Sequence, residues 1–121
     1  MMQGSVVGLQ ARMPILLKLP AHSEVEIECV VDTGFEGFLT LPPDAIAELE
    51  LPYLIQISAN LANNSSVMTD VHLATVVWNG IEREIAVLSM GRRPLIGTAL
   101  LDQYHLSIDF CERGTVLIDE I

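Results

Sequence analysis

The sequence predicts an all-β domain, a closed barrel or sandwich with one or two short helices. Three observations carry that expectation. Residues 24–31 alternate, with Glu24, Glu26 and Glu28 set between Val25, Ile27, Cys29 and Val31, so one face of a strand is apolar and the other charged. Asn79-Gly80 sits between two β-branched runs, and both central residues of a type I′ hairpin turn need positive φ. Short apolar runs then recur between turn residues along the whole chain, the spacing of a barrel or sandwich. The 121 residues suit a single domain over 1–121, and half of them are apolar, enough for a core.

Taken in order, residues 5–9 and 14–19 read as two short strands, and 20–23 (Pro-Ala-His-Ser) as a turn. Strand 24–31 follows and delivers Asp32. Residues 38–41 form a short strand. Pro42-Pro43-Asp44 opens a helix over 45–50, because proline and an acid both suit a first turn, and Pro52 stops it. Residues 53–61 are extended, 62–66 (Ala-Asn-Asn-Ser-Ser) a polar turn, and 67–78 a long strand that returns through Asn79-Gly80 as 81–89. A loop at 90–94 leads to Leu95-Ile96-Gly97-Thr98, then a short helix over 99–104. Strands at 106–110 and 115–121 complete the chain. The sum is about nine or ten strands and two short helices, with no linker or low-complexity tract.

Composition excludes several functions. Net charge is −10 with only six Lys plus Arg, which argues against nucleic acid or an anionic membrane surface as partner. No apolar run approaches the ~18 residues that span a bilayer. The N-terminus carries no basic region followed by an apolar run and a cleavage site, so the expected location is cytoplasmic. Cys29 and Cys111 are therefore expected reduced, unbridged and buried. Neither has Cys or His at ligand spacing, and no metal site is expected. His22, His72 and His105 form no ligand set and read as surface or hydrogen-bonded residues; Trp78 reads as hairpin packing, and Arg92-Arg93 as a solvated loop.

The chemistry centres on Val30-Val31-Asp32-Thr33-Gly34. An apolar strand ends in a carboxylate on a turn, and a buried lone carboxylate costs several kcal/mol, roughly, unless paired or neutralised. Thr33 offers a hydroxyl and Gly34 a bend. About sixty residues later, Leu95-Ile96-Gly97-Thr98 repeats the run from apolar pair to glycine turn.

With these two motifs, a polar-tipped hairpin between them and a terminal strand, roughly residues 5–121 resemble the retropepsin-like aspartic proteases, above all the small stand-alone prokaryotic members. The resemblance implies a closed acid-protease barrel and a homodimer in which each subunit supplies one Asp-Thr-Gly. Two carboxylates about 3 Å apart cannot both ionise, so in aspartic proteases they share one proton and titrate as a unit. By the same resemblance Asp32 is the catalytic aspartate, and Thr33 braces the paired loops across the dimer. Gly34 keeps the carboxylate accessible and offers backbone to the substrate. Leu95, Ile96 and Gly97 are the packing motif beneath the loop. Residues 62–66, with Asn63, Asn64 and Ser65, are a flap tip, and Phe35 and Glu36 are substrate-contacting. The implied partners are a second copy and a peptide or protein substrate, with no cofactor. The terminal strand 115–121 is apolar enough to pair across the dimer axis.

Three positions depart from the family pattern. Phe35 stands where Ala or Ser is usual, a bulky ring expected beside the cleft. Asn63-Asn64-Ser65-Ser66 replaces a glycine-rich tip. Thr98 stands where viral members carry Arg, leaving Glu36 without that partner. Two functions remain: an aspartic endopeptidase, favoured by intact Asp32, Thr33 and Gly34, and a non-catalytic dimeric peptide-binding or interaction barrel, favoured by Phe35.

Overall fold

The computed structural model describes residues 1–21 and 23–121. His22, within the expected turn at 20–23, lies outside the described residues. Ten strands and two short helices are formed: β1 (Met2–Val7), β2 (Gln10–Lys18), β3 (Glu24–Val31), β4 (Leu39–Leu41), α1 (Pro43–Leu49), β5 (Tyr53–Asn60), β6 (Ser66–Trp78), β7 (Ile81–Ser89), β8 (Leu95–Ile96), α2 (Thr98–Leu101), β9 (Tyr104–Ile108) and β10 (Thr115–Glu120).

One sheet holds every strand, in the order β5-β6-β7-β4-β8-β3-β2-β1-β10-β9. A further pairing of β6 with β2, Leu16 opposite Val77 and Leu17 opposite Val76, bends the middle of this sheet into a ring. Strands β2, β3, β8, β4, β7 and β6 make that ring. Two flaps of sheet extend from it: β5 hangs on β6, and β1-β10-β9 hangs on β2. No helix is long and apolar enough to cross a membrane, among the described residues.

The core fills the ring. Met13, Ile15 and Leu17 alternate inward from β2, Leu39 and Leu41 from β4, Val76 and Trp78 from β6, and Val87 from β7, all fully buried. The β3 alternation holds: the three glutamates are exposed, and Cys29 is buried. Burial pushes the Cys29 thiol from 9.0 up to about 12, with the Glu28 charge adding to the shift. Trp78 is core, edge-on to the Tyr104 ring at 5.8 Å between centroids. His72 is half-buried, its Nδ1 3.0 Å from the Leu51 carbonyl oxygen.

Several expectations shift. The first strand starts at Met2 and ends before Gly8-Leu9, which turn with φ of 57° and 65°. Leucine is a poor candidate for positive φ, so Val-Val-Gly-Leu reads as extended in sequence. Helix α2 stops at Leu101, because Gln103 takes φ 71° and swings the chain into β9. Both cysteines are free, yet Cys111 is exposed, contrary to expectation. It lies past the end of β9, in the turn that Gly114 closes with N–H to the Cys111 carbonyl at 2.7 Å. Strand β10 also differs. It is hydrogen-bonded on one side to β1 (Met2 opposite Ile118) and on the other to β9 (Ile118 opposite Leu106). Over 115–118 both edges are occupied within this chain, so that part of β10 offers no free ladder for the expected pairing across an axis.

Candidate active site

The Asp32 loop is built by three short strands. Strand β3 brings Asp32 to the rim, β8 runs parallel to it (Val30 opposite Leu95, Val31 opposite Ile96), and β4 returns antiparallel to β8 (Leu39 opposite Ile96). Leu95-Ile96 is thus threaded between the two ends of the loop. Ile96 is fully buried and Leu95 half-buried. Backbone bonds extend the pairing beyond the strands: Val30 N–H to the Pro94 carbonyl and Asp32 N–H to the Ile96 carbonyl, each 2.9 Å.

Within the loop the Asp32 carbonyl accepts from Phe35 N–H at 3.2 Å, closing a turn. The Asp32 carboxylate is half-buried, and its Oδ1 accepts from Gly34 N–H at 2.9 Å. That bond aims the carboxylate along the turn. A Cβ at Gly34 stands 3.2 Å from the same Oδ1, too close without a shift of one or the other. Thr33, Gly34 and Glu36 are exposed, and no cation pairs with Glu36 among the described residues.

The floor beneath the loop is two glycines and a ring. Phe35 is half-buried and lies over Gly37 and Gly97: a Cβ at Gly37 comes 2.7 Å from Phe35 Cε1, and one at Gly97 2.6 Å from Phe35 Cδ2 and into the Gly37 carbonyl oxygen. Gly97 N–H bonds the Phe38 carbonyl at 3.0 Å, and Ala99 N–H the Gly37 carbonyl at 3.1 Å. Thr98 binds the Phe35 carbonyl twice, through its N–H at 2.8 Å and its Oγ1 at 3.3 Å. Sequence reasoning missed this use of Thr98. The signal available was a hydroxyl directly after the second glycine turn, a residue that often hydrogen-bonds nearby backbone.

The polar turn is the tip of the β5–β6 hairpin. Leu61 N–H bonds the Ser65 carbonyl at 2.8 Å, and Asn63 Oδ1 accepts from Ser65 N–H at 3.1 Å and from its hydroxyl. Asn64 takes φ 66°, a conformation that asparagine tolerates without glycine. No hydrogen bond joins Asn63, Asn64 or Ser65 to the Asp32 loop, among the described residues. A cavity of about 350 Å³ lies elsewhere, where Lys18, Glu24, Leu51, Pro52, Glu82 and Glu84 meet, and none of the residues above lines it.

A half-buried carboxylate aimed by a backbone N–H can act as a general base or acid toward water, given a proton partner. No protein-family model matches the sequence, and no curated protein does. Solved structures do. Protease of EIAV, complexed with the inhibitor HBY-793, matches 80% of this chain and 91% of its own at 15% identity, with a TM-score of 0.52. A retropepsin-like aspartic protease from Rickettsia conorii matches 98% of this chain and 94% of its own at 14% identity, with a TM-score of 0.51. The likeness is one of fold, and the fold is retropepsin-like.

Proposed function

We propose that this chain is an aspartic endopeptidase, active as a homodimer that places two Asp32 carboxylates side by side. One observation carries the reading: in a retropepsin-like fold, the half-buried Asp32 is held at the rim by Gly34 N–H and by the threaded Leu95-Ile96. One chain has one such loop, and the chemistry needs two carboxylates.

The ionised carboxylate takes a proton from a water whose oxygen attacks the peptide carbonyl carbon. The protonated carboxylate donates a hydrogen bond to the carbonyl oxygen as it gains charge. The tetrahedral species collapses with cleavage of the C–N bond, and the proton passes to the leaving amine. Thr33, exposed beside Asp32, is the residue to brace the two loops against each other. The β5–β6 hairpin, with Asn63, Asn64 and Ser65 at its tip, serves as the flap; an extended substrate adds to it as a strand, with Glu36 at the near wall and Phe35 packed beneath it on Gly37 and Gly97.

A non-catalytic peptide-binding barrel was favoured by Phe35 in the cleft. The packing of that ring on Gly37 and Gly97 supports the enzyme instead. The test is cleavage of a peptide library across pH 3–8 by wild type, Asp32→Asn and Phe35→Ala. Cleavage by wild type that Asp32→Asn lacks supports the protease. Inert wild type and Phe35→Ala at every pH overturn it in favour of the binding barrel.

A further inference from the structure

We infer that this chain selects peptides carrying an acidic side chain, Glu or Asp, within two residues of the bond that is cut, and that Arg12 and Arg93 form the pocket that takes it. The inference rests on the protease reading above and names the substrate class which that reading leaves open.

A cavity of about 180 Å³ lies where Arg12, Glu28, Val30, Arg93 and Pro94 meet. Its place follows from the sheet. Arg12 stands opposite Val30 in the β2–β3 ladder and Pro14 opposite Glu28, so these side chains share one face. That face is the outer one, since Cys29, between Glu28 and Val30, is buried in the core. Val30 and Asp32 both donate their N–H across to the segment 94–96, so the alternation continues and Asp32 falls on the face of Val30. Two residues of extended chain span about 7 Å, which sets the cavity directly beside the carboxylate. An extended substrate lying over Asp32 has the same two-residue repeat. One of its side chains near the reacting carbonyl therefore reaches the cavity.

This corner is cationic in a chain that is not. Net charge is −10 with only six Lys plus Arg, yet two guanidiniums meet here against the single carboxylate of Glu28. Arg93 Nη1 bonds Gln10 Oε1 at 2.8 Å, a neutral acceptor that pins the side chain to β2 without balancing its charge. No carboxylate pairs with Arg93 among the described residues. Arg12 is half-buried and under-used. Its Nη1 stands 3.4 Å from Glu28 Oε1, long for a charge-assisted bond, and its Nε is buried with no hydrogen-bond partner among the described residues. An entering carboxylate supplies the missing acceptor, and the guanidinium fork suits it with paired bonds. A basic side chain meets repulsion in the same place, and an aliphatic one covers both guanidiniums without giving them an acceptor.

The test is the cleavage profile of a randomised peptide library at pH 6, where glutamate is ionised, read by mass spectrometry. Glu and Asp should be enriched about tenfold over Gln and Asn within two residues of the cut bond. Arg93→Glu should abolish that enrichment and favour Lys and Arg, while neutral peptides are still cut. Arg12→Gln should weaken it. Lys18→Gln, the same change of charge at the far end of β2, should not. The same library is passed over immobilised Asp32→Asn and Asp32→Asn/Arg93→Glu, so that retention is read without cleavage. Cleavage with no acidic enrichment, or with enrichment indifferent to both Arg93→Glu and Arg12→Gln, overturns the inference and leaves the protease reading standing. An inert wild type, with acidic peptides retained by Asp32→Asn and lost with Arg93→Glu, overturns the protease and supports the acid-selecting pocket. Neither cleavage nor acidic retention overturns both.

Discussion

The Asp32 loop and the β5–β6 hairpin are both turns between extended segments, yet they are held in opposite ways. Besides two bonds inside it, the loop is tied to a distant part of the chain: Val30 to Pro94, Asp32 to Ile96, Gly97 to Phe38, Thr98 to Phe35. The hairpin tip is bonded only to itself, and β5 is exposed along nearly its whole length. On the proposed protease reading, a site that holds a carboxylate and a hairpin that admits a peptide would need these two kinds of support. The difference teaches where substitutions will be felt.

The largest effect is expected at the rigid site. Asp32→Asn keeps the shape and the bond from Gly34 N–H, so the fold should persist, but an amide is neither base nor acid. Peptide cleavage should fall by about 10²- to 10⁴-fold for each lost proton-transfer role, read as kcat/KM on any peptide the wild type cleaves. A full-activity Asp32→Asn removes the carboxylate from the chemistry.

Next is the floor. Gly97→Ala drives a methyl into the Gly37 carbonyl and the Phe35 ring, and no flexible side-chain end is there to yield. The expected loss is about 3 kcal/mol, at the upper end of overpacking costs, seen as a lowered urea midpoint. An unchanged midpoint shows that the loop is softer than its bonds imply.

A third effect appears only at high pH. The Cys29 thiol holds its proton to about 12 in the folded chain, against 9.0 when unfolded. Its contribution is complete below pH 9.0 and is lost as pH rises from there toward 12, since the unfolded chain deprotonates first. Cys29→Ala should flatten the fall in stability over that window. At pH 8, alkylation of the folded protein should label Cys111 alone, and both thiols once unfolded. Two labels on the folded protein contradict the burial of Cys29.

Smaller still is Thr98→Val. It removes the 3.3 Å hydroxyl bond to Phe35 and leaves the 2.8 Å backbone bond, for about 0.5–1.5 kcal/mol in denaturant unfolding. Asn63→Ala marks the other side of the comparison. It frees the Ser65 bonds at the tip, so proteolytic nicking between 61 and 66 should quicken while the melting temperature holds. A large drop in melting temperature would make the hairpin part of the rigid body.

How legible each region was follows from the range of its interactions. The Glu24–Val31 alternation, the Asn79-Gly80 turn (φ of 51° and 82°) and the proline-opened helix α1 are local signals, and the structure bears them out. Asp32-Thr33-Gly34 and Leu95-Ile96-Gly97 were each visible as motifs, and the β3–β8 ladder brings them together. The packing of Phe35 on Gly97 and the grip of Thr98 on Phe35 join residues about sixty positions apart, which no local pattern encodes. Leu9 and Gln103 at positive φ hid two strand boundaries, because neither residue type advertises a turn. The two-sided pairing of β10 is longer in range again.

That last pairing has a kinetic consequence. Met2 lies opposite Ile118, so the sheet joins segments from the two ends of this sequence. Until β10 docks, β1 has only its hairpin with β2, and β9 has no ladder at all. Closing so long a stretch costs chain entropy before any bond repays it, which places the molecule among slow folders, on the order of milliseconds to seconds. During that interval the unpaired edges of β1 and β9 are exposed together. Refolding at high protein concentration should therefore divert material into aggregates, and dilution should recover it.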